Sequence, residues 1–134
     1  MSMFGGMEIS ASALTAQRLR MNVTAENLAN AETTKTVDGT PYRRKEVTLE
    51  AVPGQGVAPG GVQVAAVTQD QTAGKMVYDP SHPDADAKGY VRMPNVDTVT
   101  EMVDLIDAQR SYEANVTAMS ASKQMFAKTL EILR

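Results

Sequence analysis

The sequence predicts a mainly α-helical chain with a small β-rich insert: an N-terminal helix and a long C-terminal helix forming an elongated coiled coil, with an irregular β segment between them. Two observations lead there. Residues 7–31 and 95–134 contain no Gly or Pro, and both carry apolar residues at alternating spacings of three and four. The stretch between them holds seven of the nine Gly and all six Pro, and its apolar residues alternate with period two. The expected divisions are 1–31, 32–94 and 95–134.

In the first helix, Met7, Ala11, Leu14, Arg18, Met21, Ala25 and Leu28 make a four-three seam with one charged interruption. Ile9, Ala16, Leu19 and Val23 form a second stripe on roughly the opposite face at 100° per residue. A helix apolar on two sides lies deep in a core or is sandwiched among several neighbours.

In the middle segment, Val47, Leu49 and Ala51 alternate after Arg43-Arg44-Lys45, and Val62, Val64 and Ala66 alternate after Gly60-Gly61. Both predict strands with one face to solvent. Met76-Val77-Tyr78 and Tyr90-Val91-Arg92-Met93 are shorter strand candidates, and Pro53 to Gly61 reads as a turn or flexible loop.

The last helix carries the longest seam: Met102, Leu105, Gln109, Tyr112, Val116, Met119, Lys123, Phe126, Leu130 and Leu133. Val99, Val103, Ile106, Ala114, Ala121, Met125 and Ile132 fall off it, on another face. Thr98 and Glu101 have capping-box spacing, with Asn95 and Asp97 as rival N-caps. Asp97, Glu101, Asp104 and Asp107 crowd its first half and Lys123, Lys128 and Arg134 its second, which complements the helix dipole. Such a helix is roughly 57 Å long. The first helix, roughly 35 Å long, covers only part of it. Burial of one seam does not offset the entropy of ordering the run, so the expectation is obligate assembly with other chains.

Composition narrows the function. The 134 residues are 43% hydrophobic, yet only six are aromatic and none is Trp, which argues against a thick compact core. Nine Met give an adaptable apolar surface. A net charge of −3 disfavours a dedicated nucleic-acid binder, and Arg43-Arg44-Lys45 reads as a solvated strand edge. The absence of Cys removes disulfides, thiolate metal sites and thiol catalysis. The first residues lack the basic and apolar regions of a secretory signal, and no window is apolar enough to span a membrane.

One stretch invites a chemical reading. In Asp79-Pro80-Ser81-His82-Pro83-Asp84-Ala85-Asp86, carboxylates and the chain's single His suit Zn or Mn. The plainer reading is a Pro-punctuated loop whose Asp and Ser side chains close turns, and it is preferred. The expectation is no enzyme, no cofactor, no metal and no small-molecule substrate.

Several blocks carry a resemblance. Asn27-Leu28-Ala29-Asn30-Ala31, followed by Thr33, resembles the signature shared by bacterial flagellar axial proteins of the rod and hook. Tyr42-Arg43-Arg44-Lys45, the block from Tyr78 to Asp86, Gly89-Tyr90-Val91-Arg92-Met93-Pro94-Asn95-Val96, Glu101-Met102-Val103 and Tyr112-Glu113-Ala114-Asn115 are similar to the proximal-rod members of that family. The likeness covers nearly the whole chain, apart from Pro53 to Gly61.

The resemblance implies helical assembly into a hollow rod that crosses the periplasm, surrounds an export channel and transmits motor torque. The implied partners are copies of this chain, other proximal and distal rod proteins, the adaptor linking the rod base to the MS ring and export gate, and the flagellar type III export apparatus. Export without a cleaved signal would reconcile the missing secretory signal with a destination outside the cytoplasm. Under this reading Met7, Leu14, Met21, Leu28, Met102, Leu105, Tyr112, Val116, Met119, Phe126, Leu130 and Leu133 form the assembly seam. Asn27 and Asn30 cap or bridge the end of the first helix. Two other readings are another axial rod or hook subunit and a soluble coiled-coil adaptor or export chaperone.

Overall fold

A computed structural model describes residues 3–54 and 60–132. Its elements run α1 (Met3–Ala29), β1 (Lys45–Val52), β2 (Gly61–Gln69), β3 (Met76–Tyr78), β4 (Tyr90–Arg92) and α2 (Thr98–Ile132). The chain is thus mainly helical, with two small antiparallel strand pairs, β1–β2 and β3–β4, between the helices.

Helix α1 begins earlier than the Gly-free stretch suggests. It runs through Gly5 and Gly6, although each Gly disfavours helix by about 1 kcal/mol relative to Ala. It closes at Asn30, whose backbone N–H reaches Glu26 O at 3.1 Å and whose Nδ2 donates to the same oxygen at 2.9 Å. At the other end of the chain, α2 is capped by Asp97. Its Oδ1 accepts from Val99 N at 3.0 Å, and its carbonyl accepts from Glu101 N at 3.0 Å. The Thr98–Glu101 capping box does not form, because the Glu101 side chain is turned inward and engaged elsewhere.

The two helices are antiparallel. Asn27 meets Glu101, Arg20 meets Asp104, and Leu14, Thr15 and Arg18 share a small pocket with Tyr112. Numbers fall along α1 as they rise along α2. At 1.5 Å per residue α1 is about 40 Å and α2 about 52 Å, so α2 outruns its partner. From Ala127 to Ile132 every residue of α2 is exposed.

Part of the second apolar stripe of α1 finds a partner inside the same chain: Ala16 and Val23 are buried, whereas Ile9 and Leu19 stay exposed. The β1–β2 hairpin lies against α1, with Val62 N donating to Ser12 Oγ at 3.1 Å. Ser12, Ala16, Val23 and Asn27 share that side of the helix by phase, and Ala16 and Val23 are buried there. Helix α1 is therefore sandwiched between α2 and the hairpin.

The hairpin departs from simple alternation in one place. Thr48 pairs with Ala66 but Leu49 pairs with Val64, which leaves Ala65 as a bulge. The extra residue reverses the facing of β2 beyond it, so Val67, opposite Val47, shares the face of Val64 and Ala66 does not. In β1 Val47 and Leu49 are half-buried while Glu46, Thr48 and Glu50 face solvent, but Ala51, the third residue of the expected alternation, is exposed.

The apolar core is thin, as the scarcity of aromatics suggests. Among the described residues it consists of Ala16, Val23, Tyr42, Val91 and Ala108. The chain exposes 9394 Å², where a compact monomer of 14.4 kDa would expose about 6800 Å².

Candidate assembly site

Where apolar side chains are few, polar ones hold the elements together. Asn27, in the last turn of α1, is 1% exposed and uses its full hydrogen-bonding capacity. Its Nδ2 donates to Lys45 O at 2.8 Å and to Glu101 Oε2 at 2.9 Å. Its Oδ1 accepts from Lys45 N at 2.9 Å and from the Tyr42 hydroxyl at 2.9 Å. One amide thus pins the end of α1 to the start of β1 and to the first turn of α2.

Glu101, also 1% exposed, is the second centre. Arg44 Nε donates to its Oε1 at 2.5 Å, and Arg44 Nη2 reaches Asp104 Oδ2 at 3.3 Å. Arg20 Nη2 bonds the other oxygen of Asp104, also at 3.3 Å. Two carboxylates face two guanidiniums, so the cluster is charge-balanced, as a buried ionic group must be. The bond to Glu101 raises the Arg44 pKa above its ordinary value, so the guanidinium stays charged. Burial, with the nearby Glu26 and Glu101 carboxylates, pushes the Tyr42 hydroxyl up to about 12, so it remains a neutral donor.

Asn95 extends the hub to the middle segment. Its Oδ1 accepts from Arg44 N at 2.8 Å, and its Nδ2 reaches Asp70 O at 3.4 Å. Lys45 Nζ pairs with Glu26 on α1. The basic run is therefore not a solvated strand edge as a whole. Arg43 is exposed, whereas Arg44 and Lys45 are half-buried ion-pair partners, because both point back at the helix ends. The sequence reading also missed Tyr42, Glu101, Arg20 and Asp104 as hub members. The available signal was Glu101 itself, a carboxylate four residues before Leu105, in phase with the apolar seam.

The Asp79-to-Asp86 loop joins β3 to β4; Asp79, His82 and Asp86 close its turns, and the Asp84 carboxylate ties it to Thr34 and Lys35. Asp79 Oδ1 accepts from Ser81 Oγ at 2.6 Å and Ser81 N at 3.0 Å, and this hydrogen bonding holds its carboxyl below the usual range. His82 Nδ1 accepts from Asp84 N at 3.1 Å, Asp84 Oδ2 accepts from Thr34 Oγ1 at 2.7 Å, and Asp86 Oδ1 accepts from Tyr90 N at 2.9 Å. Pro80 and Pro83 sit at turn positions around them. Among the described residues no three His, Asp or Glu are grouped so as to hold a metal ion. Gly89, at φ +80°, closes the loop against Pro80 and Tyr78, and Tyr78 meets Tyr90 edge-to-face at 5.2 Å.

The residues expected to form an assembly seam fall into two groups. Met7, Leu14, Met21 and Leu28 are half-buried on the side of α1 turned to α2. Leu105, Tyr112, Met119 and Phe126 are half-buried on the facing side of α2. Between them, the inward positions are Ser10, Gln17 and Thr24 on α1 and Ala108, Asn115 and Ser122 on α2, each one residue before the seam position read from the sequence. Met102, Val116 and Leu130 are exposed, and Leu133 lies outside the described residues. The opposite side of α2 carries a further uncovered strip: Val99, Val103 and Ile106, at 50–68% exposure, then Met125 and Ile132. Of the motif residues here, Glu113 is exposed and bonds Gln109, Ala29 is exposed, Asn115 Nδ2 donates to Ser111 O, and Pro94 is buried just before α2.

Among the described residues, no helix is long and apolar enough to cross a membrane. The geometry is that of a connector-stiffened helix pair with uncovered apolar flanks. Comparison with known proteins agrees. Residues 7–35 match the family model described as flagella basal body rod protein, and residues 87–132 match that of the flagellar basal body rod FlgEFG protein C-terminal. The flagellar basal-body rod protein FlgC of Bacillus subtilis (strain 168) is 51% identical over 98% of this chain and 99% of its own length. The protein of the same name from Escherichia coli O157:H7 is 50% identical over 98% of each chain. That from Borreliella burgdorferi is 41% identical over 100% of this chain and 99% of its own. With relatives this similar along their full length, and the polar hub and helix pair built from the blocks that carry the likeness, the chain belongs to the flagellar basal-body rod protein FlgC family.

Proposed function

We propose that this chain is a structural subunit of the flagellar basal-body rod, and that it assembles by packing α1 and α2 against the same helices of neighbouring subunits. In the rod these helices form an elongated coiled-coil layer, from segments 1–31 and 95–134, around a hollow channel, with 32–94 as a stiff outer connector. The neighbours are further copies and other proximal and distal rod proteins, with the adaptor to the MS ring and export gate at the base. The subunit leaves the cytoplasm through the flagellar type III export apparatus without a cleaved signal, and the finished rod transmits torque across the periplasm.

The observation that carries this reading is the uncovered apolar surface of α2. Val99, Met102, Val103 and Ile106 stand exposed near its start and Met125, Leu130 and Ile132 near its end. These exposed residues form a cluster at each end of α2, and a chain about 2600 Å² more exposed than a compact monomer has room for several interfaces.

Assembly and folding are separable by mutation under this reading. Leu105 and Phe126 lie on the intramolecular side of α2, so Asp there should unfold the helix pair. Met102→Asp and Val103→Asp alter only exposed positions. Each should leave the helical circular dichroism and melting temperature of the purified chain near wild type, while abolishing swimming and co-fractionation with basal bodies. Normal motility with both changes combined, or recovery of the wild-type chain only as a small soluble cytoplasmic oligomer, would count against the proposal.

A further inference from the structure

The facing sides of α1 and α2 share a repeat. On α1 the order is Met7, Ser10, Leu14, Gln17, Met21, Thr24, Leu28; on α2 it is Leu105, Ala108, Tyr112, Asn115, Met119, Ser122, Phe126. Both alternate one large apolar residue with one small or polar residue, and both repeat every seven positions. A seam of that kind looks the same after a slip of one heptad. Large residues would still meet large ones if α2 moved by seven residues along α1.

Apolar burial does not oppose such a slip. The first two turns of α2 leave Val99, Met102, Val103 and Ile106 at least half exposed, so unwinding or displacing them uncovers little. At the far end, Leu130 has the helical phase of Met119 and Phe126 yet is 53% exposed, because α1 has run out. Sliding α2 towards its own N-terminus by one heptad would bring Leu130 over α1. Hydrophobic packing alone therefore does not select the observed register.

The polar hub does. Glu101 and Asn27 are its most buried members, and the bonds Asn27 Nδ2 to Glu101 Oε2 (2.9 Å) and Arg44 Nε to Glu101 Oε1 (2.5 Å) exist in one register only. One heptad along, Ala108 occupies the place of Glu101 and has nothing to offer Asn27 or Arg44. We propose that the Asn27–Arg44–Glu101 cluster is a register lock, which stops α2 from sliding one heptad over α1 and so keeps the Ala127–Ile132 tail uncovered. In some coiled coils a single buried polar residue fixes register in the same way. Only the use of the free tail depends on the rod reading; the lock is a property of the single chain.

The test is a distance measurement on the full-length chain, with labelled copies diluted among unlabelled ones so that only distances within one chain are read. The protein has no Cys, so Ala25→Cys and Ala127→Cys, both at exposed positions, can carry a pair of spin labels read by double electron–electron resonance. A one-heptad slip shortens their axial separation by on the order of 10 Å. The paired substitution Arg44→Met with Glu101→Met removes both charges together, which avoids leaving one buried alone. It should keep the helical signal and add a second distance population about 10 Å shorter. The pair Glu101→Ala with Ala108→Glu moves the carboxylate one heptad along and should make the shorter distance dominant. A single wild-type distance in both variants would overturn the proposal. So would loss of helical signal in both, because the cluster would then supply stability and not register.

Discussion

Asn27 shows how much one side chain can hold in a chain with a thin core. Its truncation to Ala would leave Lys45 N and O, the Tyr42 hydroxyl and one oxygen of Glu101 short of a partner in a buried place. Orphaned buried groups cost about 1–3 kcal/mol each, so a loss of at least about 3 kcal/mol is expected in urea unfolding of Asn27→Ala. Removing Glu101 alone is expected to be as severe, because Arg44 is then left half-buried without its main counter-charge. Tyr42 adds a pH signature. Its hydroxyl is held at about 12 when folded, against 10.0 for the ordinary group, so the native chain binds that proton more tightly. The contribution is complete below pH 10 and is lost as pH rises through 12. Stability of wild type should therefore fall more steeply than that of Tyr42→Phe between pH 10 and 12, at any ionic strength where both fold.

At the scale of elements, the sequence was most legible where one rule acted alone. The long Gly- and Pro-free runs predicted both helices, period-two alternation located β1 and β2, and the short apolar runs at Met76 and Tyr90 located β3 and β4. It was least legible where two rules competed. Capping spacing placed Glu101 at the helix surface, but the demand of Asn27 and Arg44 for a carboxylate pulled it inward, and Asp97 took the cap. The bulge at Ala65 left no local mark in the sequence. Close approach is another tertiary matter. A Cβ on Gly74 would stand 1.8 Å from Met93 O, so the stretch leading into β3 can pass the end of β4 only without a side chain. Gly74→Ala should cost about 1–3 kcal/mol in thermal or urea unfolding, with the loss traceable to the β3–β4 pair by hydrogen exchange.

For the whole molecule, the decisive quantity is surface. A helix pair in which α2 exceeds α1 by eight residues cannot be closed within one chain, and the described tail from Ala127 to Ile132 is bare on every side. Leu130→Asp is accordingly expected to leave the melting temperature of the isolated subunit almost unchanged, while blocking its incorporation into basal bodies recovered from cells. If the variant is incorporated normally, the tail is not an interface.

Residue spacing and composition alone establish two long helices around a β-rich connector, the family that the chain resembles, and an apolar surface larger than the chain can cover. Those properties follow from spacing, from Gly and Pro placement and from composition, all of which are local or additive. Docking of the elements settles which half of each seam turns inward, which carboxylate is buried, and that the hairpin covers Ala16 and Val23 on the second face of α1 but leaves Ile9 and Leu19 exposed. A heptad pattern is degenerate to slips of seven. That degeneracy is lifted by contacts between Asn27, Arg44 and Glu101, which lie far apart in sequence and meet only when the helices and the first strand have docked.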